Sequence, residues 1–187
     1  MHSWHDVKPN RINPDDFLAV IEISKGSKNK YELDKETGHL ILDRVLFTST
    51  IYPQNYGFIP RTYADDYDPL DVLVLCSEAI IPMSLVEAKP IGVMIMTDNG
   101  LNDEKIIAVA ANDPFYNGYK DISEVPPHIM DEIKHFFAVY KTLEGKPTSV
   151  DVVKDHLEAE KIIEESLKRY SNEIAPKIIA ERKARGY

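Results

Sequence analysis

The chain carries a single cysteine, Cys76, so it holds no internal disulfide, which rules out a disulfide-stapled secreted scaffold. No window approaches the ~18 consecutive apolar residues that a membrane-spanning helix needs. The opening residues Met1-His2-Ser3-Trp4-His5-Asp6 have neither the basic nor the apolar part of an export signal. A reducing, cytoplasmic setting is therefore expected, with Cys76 a small buried hydrophobe. Basic residues are missing altogether between Arg61 and Lys89, where Asp65, Asp66, Asp68, Asp71, Glu78 and Glu87 fall. A field of that sign repels nucleic acid and anionic membranes and attracts cations. A merely solubilising acidic surface is the bland alternative. There is no G-x-x-x-x-G-K-[ST] phosphate loop, no H-E-x-x-H and no paired cysteines, and the six histidines show no ligand spacing. Repeats and low-complexity tracts are also missing.

What is present fits one globular domain spanning residues 1–187, with 43% apolar and 28% charged residues. The net charge of −9 lies wholly in the first 150 residues, with 14 basic against 23 acidic side chains. Short β-branched or apolar runs at 17–24, 31–33, 40–47, 71–76, 90–97 and 106–111 read as strands. Gly38 and Asn99-Gly100 are hairpin signals. Between the third and fourth runs, residues 49–69 read as a long irregular loop with Pro53, Gly57, Pro60 and Pro69, a length usually reserved for function. Two helices follow. One enters at Pro126-Pro127 with the stripe Ile129, Ile133, Phe136, Phe137, Tyr140; the other is capped at Asp155 with the stripe Ala159, Ile162, Ile163, Leu167, Tyr170. Residues 177–185 form a short terminal helix or a frayed tail. The order of elements predicts an α+β domain containing a small barrel, with two main helices packed on it.

The strongest chemical signal is Asp66-Tyr67-Asp68-Pro69-Leu70-Asp71, just ahead of an apolar strand. Pro69 biases Asp68 toward an extended conformation, so the segment cannot run on as a helix. Three crowded carboxylates repel one another, and a divalent cation held by oxygen ligands offsets that repulsion. A solvated acidic turn is the competing reading. The tip that carries Asp98 and Asp103 adds a weaker acidic pair, with Lys105 nearby. Glu22, inside an apolar strand, needs a partner or a wet cavity, unless its side chain simply faces solvent. Lys30 and Glu32 share a strand face by period two. Arg44 stands beside Asp43, Tyr56 lies in the turn-rich stretch, and Tyr140-Lys141 closes the first helix. Each has a structural explanation alone. Combined, they supply acids for metal, cations for an anion, and phenol or amine donors, the ingredients of a phosphate-cleaving site.

These motifs, in this order from about residue 17 to 170, resemble the soluble (family I) inorganic pyrophosphatases: Val20-Ile21-Glu22-Ile23, Lys30-Tyr31-Glu32-Leu33-Asp34, Asp43-Arg44, Tyr52-Pro53-Gln54-Asn55-Tyr56-Gly57-Phe58-Ile59-Pro60, the Asp66–Asp71 hexapeptide, Met96-Thr97-Asp98 with Asp103 and Lys105, and Phe136-Phe137 with Tyr140-Lys141. The resemblance implies a five-stranded OB-like β-barrel and magnesium-dependent hydrolysis of pyrophosphate, with several ions per site and Mn2+ or another divalent ion as an alternative. It implies that Asp66, Asp71 and Asp103 ligate metal, joined by Asp98 and Glu22, and that Glu32 belongs to the same acidic cavity. Lys30, Arg44, Tyr56, Tyr140 and Lys141 would hold phosphate, with Lys105 at the cavity edge. Asp68 would deprotonate the attacking water. It further implies a homo-oligomer, hexamer before dimer, and leaves residues 172–187 as an extension without a catalytic role. Tyr67, where a small or polar residue is usual, and Asn99, where some members have Glu, depart from the pattern. Two other functions compete: a different metal-dependent phosphohydrolase, and a non-enzymatic OB-type binding module, which the charge sign disfavours.

Overall fold

The computed structural model describes residues 2–98, 100–146 and 148–186, without the side chains of Asp98 and Leu101. Eight strands are found among them: β1 (Phe17–Ile23), β2 (Asn29–Leu33), β3 (Leu40–Val45), β4 (Asn55–Phe58), β5 (Asp71–Leu75), β6 (Leu85–Asp98), β7 (Leu101–Ala110) and β8 (Thr148–Asp155). The helices are α1 (Pro127–Val139), α2 (His156–Glu173) and α3 (Ala175–Ala184). Each step in the order β1-β4-β5-β7-β6 is hydrogen-bonded, and β1 returns to pair with β6, so five strands close a ring. Only the β5–β7 pair is parallel. Closure is possible because β6 is long: Leu85 to Ala88 pair with β1, while Gly92 to Asp98 pair with β8. Strands β2 and β3 form a separate two-stranded sheet.

The strands differ from the expected ones in two places. The span 49–69 is not wholly irregular, since β4 lies inside it. Its four residues are buried and wedge between β1 and β5. Gly57 makes this possible: a Cβ there would lie 1.8 Å from the Val20 carbonyl oxygen, so only glycine lets β4 approach β1 so closely. The second is β8, an edge strand that alternates between half-buried and exposed and lacks an apolar run to announce it. The runs 31–33 and 40–47, read as strands, are β2 and β3, outside the ring.

Because strand side chains alternate between faces, the ring contributes to two cores. Val72 and Val74 of β5 pack in the cluster that includes Ala159 and Ile163 of α2, while Leu73 and Leu75 join Ile133, Phe136 and Phe137 of α1. Both predicted stripes are thus the buried faces of their helices. Asp155 caps α2 by accepting the Glu158 N–H at 3.0 Å. α3 is a helix rather than a frayed tail, and it meets the N-terminal segment through an Arg182–Asp6 ion pair.

Candidate active site

The β4–β5 connection is shaped by its own hydrogen bonds. Thr62 Oγ1 accepts the Leu70 N–H at 2.8 Å, and Asp66 Oδ1 accepts the Asp68 N–H at 3.1 Å. The chain turns sharply at Tyr67, whose φ of 69° is left-handed. A non-glycine residue there carries backbone strain of roughly 1–2 kcal/mol. The ring itself points outward, 69% exposed, and the aspartates on either side remain turned to the interior cavity.

That cavity has a volume of about 280 Å³, and its wall includes Glu22, Lys30, Glu32, Tyr56, Asp66, Asp68, Asp71, Asp103, Lys105 and Lys141. They come from β1, β2, β4, the β4–β5 loop, β5, β7 and the end of α1. The parallel register sets Asp71 opposite Lys105. Lys105 is 2% exposed. Its Nζ donates to Asp71 Oδ2 at 2.7 Å, to Asp103 Oδ1 at 2.8 Å and to the Tyr56 hydroxyl at 3.1 Å, using all three ammonium protons. Tyr56 in turn donates its hydroxyl proton to Asp71 Oδ2 at 2.5 Å. Lys105 therefore lines the cavity from between the two acids.

The electrostatics follow from depth. Burial, seconded by the Asp71 charge, pushes the Glu22 carboxyl up to about 8 and that of Asp66 to about 6. Glu22 accepts the Leu33 N–H at 2.7 Å, so it is a partnered buried acid and not a solvent-facing one. Burial would lower the Lys105 ammonium pKa, but Asp103 and Asp71 outweigh it and raise it well above the usual lysine range. Burial and Asp71 keep the Tyr56 phenol protonated.

Two predicted residues, Arg44 and Tyr140, are not among those that line the cavity. Arg44 is held by Asp43 and, at 2.9 Å from its Nε, by Glu144. Tyr140 is buried against Phe136 and Phe137. The Asp98 side chain and all of Asn99 lie outside the described residues. Three relevant residues were not read from sequence. Lys35 lines the cavity and pairs with Asp68; Asp43, read only as a neighbour of Arg44, also accepts from Lys30 at 3.2 Å; and Glu144 anchors Arg44. The Asp34-Lys35 turn after Lys30–Leu33 was the one local signal available for Lys35.

All the convergent acids are hard oxygen donors of the kind magnesium and manganese prefer. Among the described residues, no three acidic, histidine or cysteine side chains stand at the mutual spacing of a metal cage. The Lys105 ammonium provides the positive charge between Asp71 and Asp103. The donor chemistry fits a divalent cation, with crowded, partly protonated carboxylates that a cation would ionise.

Fold and site together define a small α+β barrel protein whose cavity sets acids for cations against cations for a multiply charged anion. The sequence profile described as inorganic pyrophosphatase matches residues 19–171. Soluble inorganic pyrophosphatase 2 of Chlamydomonas reinhardtii is 51% identical over 94% of this chain and 92% of its own length. A soluble inorganic pyrophosphatase of Zea mays is 50% identical, over 92% and 81%. Among solved structures, the inorganic pyrophosphatase from Thermus thermophilus superposes with a TM-score of 0.87 at 38% identity, covering 91% of this chain and 99% of that one. That of Helicobacter pylori gives 0.85 at 42%, over 89% and 99%. The chain belongs to the inorganic pyrophosphatase family.

Proposed function

We propose that this chain hydrolyses inorganic pyrophosphate to two orthophosphates, using magnesium, with manganese as an alternative ion. The observation that carries the reading is the convergence on one 280 Å³ cavity of acids and cations from seven separate parts of the chain. Divalent ions, when bound, neutralise the substrate and acidify a water from a pKa of ~16 toward ~7. Asp66, Asp71 and Asp103 would hold them, with Asp98 and Glu22 completing the acidic shell and Glu32 belonging to the same cavity. Asp68, half-exposed at the mouth and hydrogen-bonded through its backbone to Asp66, accepts the proton of the attacking water at a carboxylate oxygen. Lys30, Arg44 and Lys141 hold phosphate oxygens and offset the charge that develops on the leaving phosphate. Tyr56 and Tyr140 add neutral phenol donors, and Lys105 fixes Asp71 and Asp103 from below.

The chain acts as one domain, with residues 172–187 an appendage. We further propose a cytoplasmic homo-oligomer, a hexamer in preference to a dimer. Among the described residues, no helix is long and apolar enough to cross a membrane.

Phosphate release tests the reading, with pyrophosphate, ATP and a phosphodiester each assayed with and without magnesium. Magnesium-dependent release from pyrophosphate far above the other two is expected. Equal hydrolysis of ATP would move the chain to a broader phosphohydrolase activity.

A further inference from the structure

We propose that Glu144 is a positioning residue for substrate binding: it sets the Arg44 guanidinium so that its remaining nitrogen meets a phosphate oxygen. This rests on the reading of Arg44 as a phosphate-binding group. Glu144 lies in the 3-10 turn Thr142–Glu144, directly after Tyr140-Lys141 and a hundred residues from Arg44. Its Oε1 accepts Arg44 Nε at 2.9 Å, and its side chain is only 5% exposed. It is the most buried acid of a ladder of alternating charge that runs Glu32, Lys30, Asp43, Arg44, Glu144 and, at 4.0 Å from the second Glu144 oxygen, Lys146. The other two acids are far more exposed, with side chains at 32% for Asp43 and 52% for Glu32. Glu144 is therefore the buried anchor of the ladder.

The guanidinium uses Nε for Glu144 and Nη1 for Asp43. Its Nη2 is buried and has no hydrogen-bond partner among the described residues. A buried, unsatisfied charged donor is costly, and an arriving phosphate oxygen removes that cost. An arginine clamped on two nitrogens and unpartnered on the third is preorganised, so once a phosphate oxygen reaches Nη2 binding loses little rotamer freedom. The same contact joins β3 to the turn that carries Lys141. Two of the proposed phosphate cations are thereby held in register by one acid.

A double-mutant cycle on the full-length protein, read in steady-state pyrophosphate kinetics, tests this. Glu144→Ala should raise KM about tenfold while kcat changes less than about threefold. Glu144→Gln, which keeps an acceptor for Nε–H, should recover most of the loss. In an Arg44→Ala background, Glu144→Ala should add nothing. If it raises KM equally in both backgrounds, or leaves KM unchanged in the single variant, the positioning role is overturned. If Arg44→Ala itself leaves KM unchanged, the reading of Arg44 fails first, and the inference with it. Should Glu144→Ala not fold, the cycle of Glu144→Leu with Arg44→Ala, which removes the acceptor while filling its space, carries the same test of non-additivity.

Discussion

The floor and the rim of the cavity both pair acids with cations, yet at very different depths. On the floor, Lys105 is almost wholly buried between Asp71 and Asp103 and beneath two aromatic rings, its Nζ 5.4 Å from the centre of Tyr56 and 5.2 Å from that of Phe137. On the rim, the Lys35 and Asp68 side chains are 51% and 47% exposed. Removing one partner of the buried set strands a charge away from water, whereas an exposed pair opens at little cost. The floor is consequently a fixed template, and the rim is free to exchange partners when an anion enters.

Lys105→Ala should break this contrast most severely. Loss of the ammonium leaves Asp71 and Asp103 uncompensated, and the metal-free protein should lose ~3–5 kcal/mol in urea denaturation. An unchanged midpoint would show that the floor is not an ionic template. On the rim, Asp68→Asn should lower turnover at least ~100-fold while circular dichroism stays native; near-normal activity would remove Asp68 from its role.

Acidity sharpens the comparison further. Glu22 and Asp66, raised to about 8 and about 6, keep protons that the unfolded chain releases at ordinary carboxylate values. The native state then binds more protons, so metal-free stability should fall as pH rises from about 4.5 to 8. Added magnesium should restore more stability at pH 8 than at pH 5, because ligation requires the ionised acids. Thermal melts at the two pH values, with and without magnesium, check both signs. Lys35→Ala, by contrast, should cost less than ~1 kcal/mol. Tyr67→Gly should be gentler still, with relief of the left-handed strain stabilising the loop by roughly 0.5–1 kcal/mol. A loss of stability in that variant would mean that the exposed ring contributes packing.

Much of this was legible in the sequence because it rests on local pattern. The helical stripes at Ile129–Tyr140 and Ala159–Tyr170 and the capping by Asp155 needed only periodicity and one side chain. What escaped required knowledge of distant partners. β4 is too short and too rich in turn residues to show a period of two, and its place depends on Gly57 meeting Val20. β8 borrows its order from β6, its antiparallel neighbour. The position of Lys105 depends on a parallel β5–β7 register that nothing near Lys105 encodes. Glu144 looked like an ordinary acid in a turn, since its partner lies on β3.

The tethered ammonium of Lys105 has one more consequence. Carboxylates crowded in a fold repel one another unless a positive charge stands between them. Here a covalently attached counter-ion travels with the polypeptide from synthesis onward. Asp71 and Asp103 are thereby held side by side across the β5–β7 pair by the polypeptide's own charge.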